Sequence, residues 1–293
     1  MSDLRRHTSE TGVQLRASIG PSGKSGVWEK RTLGQDAPQI WYFDLDSMQK
    51  TRLGERSNFV YSHPLLSPDG KFAAYRAYQQ EKQLILLQPV TGGPPKRICE
   101  DCGIPGDWTS DGGHMFYTTG GEPARVGLLE VASGRFRDLI KHPSYNLYGV
   151  RSRVDASGDG LVALYADNGP RTRQIFLVRL HHFVPAEQDH WIAATDGAHW
   201  DQSPAWSPDG RTLYYVTRHD GVACIMARAL DSSGQPEGNP WAVSHFHTPD
   251  RTLMRSVRNR GADALWATGD RLYFMLDNRA SELWSINFSG NSK

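Results

Sequence analysis

Ser67-Pro68-Asp69-Gly70-Lys71-Phe72-Ala73-Ala74-Tyr75 and Ser207-Pro208-Asp209-Gly210-Arg211-Thr212-Leu213-Tyr214-Tyr215-Val216 are close to one phrase written twice in a single chain. In each, proline pre-sets one turn position and Asp-Gly supplies the positive-φ step that a hairpin needs. The aromatic and β-branched run that follows reads as a strand. Weaker copies fill the gaps. Ser110-Asp111-Gly112 precedes His114-Met115-Phe116-Tyr117, and Gly158-Asp159-Gly160 precedes Leu161-Val162-Ala163-Leu164-Tyr165. Thr268-Gly269-Asp270 precedes Leu272-Tyr273-Phe274-Met275, and Pro21-Ser22-Gly23, the most degenerate, precedes Val27-Trp28. With Gly23, Gly70, Gly112, Gly160, Gly210 and Gly269 as anchors, successive copies start about 42 to 59 residues apart, and a four-stranded propeller blade takes about 40–50.

Each copy continues alike. A polar bend follows the turn strand, then a second β-rich run such as Gln39-Ile40-Trp41-Tyr42-Phe43 or Gln174-Ile175-Phe176-Leu177-Val178, then a shorter strand such as Lys96-Arg97-Ile98. Six copies predict an all-β, six-bladed β-propeller with four-stranded blades, one domain over residues 1–293. The blades fall at about 12–56, 57–99, 100–141, 142–195, 196–248 and 249–288 plus 3–9. The sixth copy has no fourth strand of its own. Leu4 to Thr8 is expected to supply it, closing the ring and covering a sheet edge.

Composition agrees and excludes other classes. Hydrophobic residues at 38% and charged residues at 22% allow a packed core. Lys+Arg 33 against Asp+Glu 32 gives a net charge of +1, so no polyanion is attracted globally and nucleic acid is not an expected partner. No apolar run reaches membrane-span length and residues 1–7 lack an apolar signal core, so direct membrane contact is not expected. The compartment is extracytoplasmic if the propeller is excised from a membrane-anchored parent and cytoplasmic otherwise. Three cysteines are too few for a disulfide framework. Cys99 and Cys102 have three readings: a turn with two buried thiols, a local disulfide, or half of a zinc site.

Aligning the copies on the turn sorts the first strand of each blade. Ile19, Leu66, Trp108, Ala156, Trp206 and Trp266 form an apolar column expected between blades, with Ala17, Pro64, Gly106, Val154, Pro204 and Ala264 earlier on the same face. The opposite face and the strand entry carry Gln14, Arg16, Tyr61, His63, Asp107, Arg151, Arg153, Asp155, Asp201, Gln202 and Asp263. First strands line a propeller's central channel, so this polar set is expected around the channel and its mouth. Tyr61, His63, Asp107, Arg151, Arg153 and Asp201 are the candidate ligand-binding residues. Arg151 and Arg153, two apart on a strand, share a face and can hold a carboxylate or phosphate by paired hydrogen bonds. His63 would add pH sensitivity, and Asp201 would orient an arginine or bind a ligand hydroxyl. In the competing reading the arginines pair with Asp155 and Asp201 as inter-blade salt bridges.

Ser-Pro-Asp-Gly after an aromatic resembles the repeat signature of TolB-like propellers. Over about residues 62–288 the chain is also similar to the propellers at the C-terminal end of bacterial serine/threonine kinases and related transmembrane regulators. Cys99-Glu100-Asp101-Cys102-Gly103, His142-Pro143-Ser144-Tyr145-Asn146-Leu147-Tyr148, Trp191-Ile192, Thr195-Asp196-Gly197, Trp200-Asp201, Arg218-His219-Asp220-Gly221 and Phe246-His247 carry that likeness. The resemblance implies a ligand-sensing or protein-binding module. The kinase's glycine-rich loop, Val-Ala-Ile-Lys strand and His-Arg-Asp loop are absent from this sequence.

Catalytic patterns are weak. His245, His247 and Asp250 offer a metal-like trio, read here as a polar strand end. His181 and His182 are adjacent and are expected on opposite strand faces. No Gly-X-Ser-X-Gly elbow exists, and Gly20-Pro21-Ser22-Gly23-Lys24-Ser25 lacks the spacing of a phosphate loop. The sequence therefore predicts a non-catalytic binding or sensing module for a protein, a peptide or a small anionic ligand, with no cofactor or metal. The alternative is a propeller lyase or glycosidase built on Asp107, Asp155, Asp201 and Asp263.

Overall fold

The repeated turn explains why Ser and Asp accompany Pro and Gly. In the computed structural model, Ser67 Oγ donates to Asp69 Oδ1 at 2.6 Å and accepts from Phe72 N at 2.9 Å, while Asp69 Oδ1 accepts from Lys71 N at 3.0 Å. Ser207, Asp209, Arg211 and Thr212 repeat the network at 2.6, 2.9 and 3.0 Å. Gly70 and Gly210 take φ of 72° and 70°, the left-handed region expected of them. The loop is longer than a two-residue hairpin. Ser67 N bonds Phe72 O and Gly70 N bonds Ser67 O, which leaves four residues in the loop around a turn centred on Pro68-Asp69. Gly20-Pro21-Ser22-Gly23 makes the same pair of bonds, so the apparent phosphate loop is a blade turn.

The structure describes residues 4–7, 13–31, 37–55, 59–80, 82–167, 172–219, 222–246, 252–253, 265–277 and 281–287. They form six antiparallel sheets in a ring, each running outward from an innermost strand. Blade 1 is Val13–Ile19, Ser25–Arg31, Gln39–Asp44 and Lys50–Leu53. Blade 2 is Val60–Leu66, Phe72–Gln79, Lys82–Pro89 and Lys96–Glu100, and blade 3 is Ile104–Trp108, His114–Thr118, Val126–Glu130 and Phe136–Ile140. Blade 4 is Asn146–Val154, Gly160–Asp167 and Arg173–His181, with an outer edge in two short pieces, Val184–Pro185 and Ile192–Ala193. Blade 5 is Gln202–Trp206, Thr212–His219, Val222–Leu230 and Pro236–His245. In blade 6, Thr252–Leu253 and Leu265–Thr268 both pair with Arg271–Asp277, which pairs with Ser281–Asn287. Arg5–Arg6 completes that blade, Arg5 opposite Ser285 and Arg6 opposite Trp284, as the sequence predicts. Among the described residues no helix is long and apolar enough to cross a membrane.

Strand alternation builds one core cluster at each blade junction. Leu272, Phe274 and Leu276 face blade 5, joining Tyr214, Val216 and Ile225, while Tyr273 and Met275 face blade 1, joining Ile19, Trp28 and Phe43. Four further clusters fill the remaining junctions in the same way. Trp206 is buried at the blade 4–5 junction as expected, and Trp266 is partly buried against the blade 6–1 cluster. One column assignment is corrected. The blade 4 turn closes at Gly158, whose N bonds Asp155 O, rather than at Gly160. Val154, 1% exposed, therefore takes the core place, and Ala156 is an exposed turn residue.

The histidine pair is a second correction. The third strand of blade 4 reverses through only His182 and Phe183, with His181 opposite Val184. Both turn residues are left-handed, at φ 49° and 57°. The turn, and not a continuing strand, sets where the two imidazoles go. Cys99 and Cys102 are joined in a disulfide between blades 2 and 3, which selects one of the three readings of that motif.

Candidate functional site

The innermost strands carry a bulge apiece in blades 1 to 5, each marked by a register shift. Blade 4 runs two residues further past its bulge than blades 2 and 5 do. Arg151, Ser152, Arg153 and Val154 all pair there, against Leu65 and Leu66 or Ala205 and Trp206. The blade 4 bulge therefore lies farther from the turn, and Arg153, one residue before Val154, stands level with Leu65 and Ala205 at the turn end of the channel. All six blades contribute to the cavity there, about 570 Å³, framed by Trp108, Trp206, Trp266, Arg151, Arg153 and Asp107.

Arg151 is 5% exposed, donates from Nη1 to Gly106 O and Val150 O at 3.1 Å, and stacks 4.8 Å from the Trp266 ring. It thus links blades 3, 4 and 6. Arg153 is exposed, donates to Asp209 O at 3.3 Å, and lies 5.9 Å from the Trp206 ring. Trp206 Nε1 in turn donates to Arg151 O at 3.2 Å. Both guanidiniums thus contact backbone carbonyls and the electron-rich faces of indoles, and Arg153 is also near enough to the Asp209 carboxylate to help lower its pKa. Asp107 is a latch between blades. It accepts from Trp108 N at 2.9 Å and from Ser152 N at 2.7 Å.

The other three candidates lie elsewhere. Tyr61 is buried at the blade 1–2 junction, where its hydroxyl donates to Glu55 O at 3.2 Å and its ring meets Tyr75 edge-on. His63 occupies the blade 2 bulge at φ 53°, its N–H donating to Glu29 Oε2 at 3.2 Å. Burial, with Arg16 and Arg76 nearby, holds its imidazole well below the usual histidine range. It stays neutral at neutral pH, so it is no charge switch there. Neither residue lines the channel-mouth cavity.

Asp201 belongs to a second cavity, about 790 Å³, between blades 4 and 5. The cause is local. The outer edge of blade 4 is only two dipeptides, so the facing side of blade 5 is left partly uncovered. Burial raises the Asp201 carboxyl above the usual range, against hydrogen bonds from Thr217 and Thr195 that lower it. Tyr215, also raised by burial, Arg228, and the cross-strand pair Cys224 and His245, 3.2 Å apart, line the same space. The sequence reading did not connect Thr195, Tyr215, Cys224 and Arg228. Tyr215, Cys224 and Arg228 share a face on the strands of blade 5, which strand alternation shows, but Thr195 comes from the connection before that blade and the gap opposite them has no sequence signal. His247 and Asp250 lie outside the described residues. Of the four carboxylates of the enzyme reading, Asp107 and Asp155 line the channel mouth, Asp201 lines the other cavity, and Asp263 lies outside the described residues.

Six antiparallel blades closed by an N-terminal strand give this chain the fold of TolB-like six-bladed propellers. A TolB structure from Agrobacterium tumefaciens superposes with a TM-score of 0.63 at 17% identity, covering 95% of this chain and 91% of that one. An oligogalacturonate lyase in complex with manganese matches at TM-score 0.56 and 13% identity, over 98% and 93% of the two chains. At these identities the likeness is one of fold. In sequence, tricorn protease homolog 1 of Streptomyces coelicolor is 25% identical over 256 residues, which is 83% of this chain and 22% of that protein. The chain thus spans about a fifth of that relative's length. No protein family model matches it.

Proposed function

We propose that this propeller is a non-catalytic recognition module that takes a carboxylate-bearing peptide segment of a protein partner in the turn-end mouth of its channel. The observation that carries this reading is the placing of Arg151 and Arg153 on one innermost strand, each beside an indole, inside a cavity to which every blade contributes. Indoles and the turn prolines Pro21, Pro68 and Pro208 offer rigid apolar area that loses little entropy on binding. A guanidinium stacked on a ring presents its N–H edge, which matches a carboxylate in two parallel hydrogen bonds. The fold shared with TolB supports a binding role.

The test is calorimetry with a library of short peptides carrying either a free or an amidated C-terminus. A free-carboxylate peptide should bind, and amidation or Arg153→Ala should weaken it at least tenfold, about 1.4 kcal/mol. Arg153 is exposed, so that variant is expected to fold. Equal binding of free and amidated peptides, or binding unmoved by Arg153→Ala, would overturn the reading.

A further inference from the structure

The turn His182-Phe183 is chemically out of place. A two-residue hairpin with both residues left-handed is normally made by Asn-Gly or Asp-Gly, because other side chains are strained there. Here a histidine and a phenylalanine hold φ of 49° and 57°. The surroundings enforce it. Phe183 N donates to Gly158 O at 3.0 Å, the Phe183 ring lies 4.5 Å from His114, and Arg137 donates to Phe183 O at 3.0 Å. Strain kept at a turn is an observation that points to a use for the side chains it displays.

What the turn displays is a set of metal ligands. His181 and His182 have ring centroids 4.2 Å apart, on either side of the turn's start. Asp159, from the neighbouring hairpin of the same blade, reaches both residues. Its Oδ1 lies 2.8 Å from His181 Nδ1 and accepts from His182 N at 2.9 Å. One ligand atom from each of the three lies within 4.8 Å of the others. Ligand atoms around a tetrahedral zinc with bonds of 2.0–2.1 Å are about 3.3 Å apart, so modest rotations of exposed side chains close the set. Ser157 Oγ lies 2.6 Å from Asp155 Oδ1 and 3.1 Å from Asp159 Oδ2, so its one proton is shared between the two carboxylates and ties Asp159 to the turn. Asp155, in the same turn, adds negative charge.

We propose that Asp159, His181 and His182 bind a divalent transition-metal ion of the zinc class on the channel-mouth side of blade 4, where Asp159 also borders the cavity. Two imidazoles and one carboxylate select such an ion over calcium or magnesium, which take oxygen ligands. Three protein ligands leave a coordination position for water or a ligand atom.

The experiment is calorimetric titration of the metal-free protein with zinc, and separately with calcium, without any peptide. It therefore stands or falls apart from the peptide reading. Zinc should bind at one site that calcium does not occupy, and Asp159→Asn or His181→Ala should weaken it at least tenfold. His182→Asn is the decisive variant. Asparagine suits a left-handed turn, so its melting temperature without metal should match or exceed the wild type while zinc affinity falls at least tenfold. Zinc binding of wild-type strength in His182→Asn, or no stoichiometric zinc uptake by the wild type, would overturn the proposal.

Discussion

Acid should loosen the ring at its closure. His7 follows the closing strand Arg5–Arg6, with Nε2 2.8 Å from Ser285 Oγ and its ring 5.4 Å from Tyr273. Burial, reinforced by Arg5 and Arg271, lowers its pKa from 6.5 to about 4. The imidazole is thus neutral in the folded protein and protonates in the unfolded chain below about pH 6.5. A depressed base stabilises the fold above its unfolded value, and that contribution is lost as pH falls from about 6.5 to about 4. At about 1.36 kcal/mol per tenfold change in proton affinity the upper bound is about 3.4 kcal/mol. Solvent reaches much of this site and screens it, which reduces the expectation to about 1–2 kcal/mol, or about 2–4 °C in melting temperature. His63 shifts in the same direction, so the quantity to measure is the difference between wild type and His7→Gln. Urea and thermal unfolding at pH 4, 5, 6 and 7 should show the wild type losing that much more than the variant on acidification. Parallel pH curves for the two proteins would refute the reasoning. Deleting residues 1–10 should lower the melt at every pH, because it also removes the ladder to Ser281–Asn287.

The two anchoring glycines separate stability from binding. A Cβ at Gly70 meets nothing within 4 Å, whereas one at Gly210 falls 0.8 Å from Arg153 Nη1. Gly70→Ala and Gly210→Ala should each cost about 1–2 kcal/mol for the left-handed backbone. Only Gly210→Ala should also weaken the carboxylate peptide, by displacing Arg153; equal effects of the two on binding would contradict the proposed site. Asp201 makes the opposite pH prediction to His7. Its carboxyl is raised above the unfolded value, so stability falls as pH rises from the unfolded toward the folded pKa and stays penalised above that. Asp201→Asn keeps an acceptor for Thr195 and Thr217 without the charge. The variant's melting temperature relative to wild type should rise by about 1–3 °C from pH 3.5 to pH 7; a difference that does not change with pH would count against this.

Fold was legible because its signal is local and repeated. Ser-Pro-Asp-Gly specifies a turn through five side-chain and backbone bonds within six residues, so the sequence suffices to recognise it. The same locality explains the one slipped anchor. Gly158-Asp159-Gly160 offers two glycines with positive φ, 87° and 147°, and only the bond from Gly158 N to Asp155 O says which one closes the loop. The two-residue slip preserved strand parity, so Arg151 and Arg153 were still assigned to one face.

Site was legible only where it followed from parity within one strand. Arg151 and Arg153 meet in the channel mouth because they are two apart, and Asp107 joins them from the equivalent place past the blade 3 bulge. His63 and Asp201 were grouped with them across blades, and that step needs each strand's depth along the channel, which bulges shift. His63 sits in a bulge itself, and Asp201 precedes the one at Gln202 to Ala205. The cavity between blades 4 and 5 was beyond reach for a further reason. It exists because the outer edge of blade 4 is too short to cover blade 5, and a missing contact leaves no motif. The same short edge begins with the strained His182-Phe183 turn. Alternation along a strand had set the two imidazoles on opposite faces, and two left-handed residues cancel that alternation. Positions that break a local rule, held by contacts from Gly158, His114 and Arg137, are where the three-dimensional structure adds most to what the chain alone says.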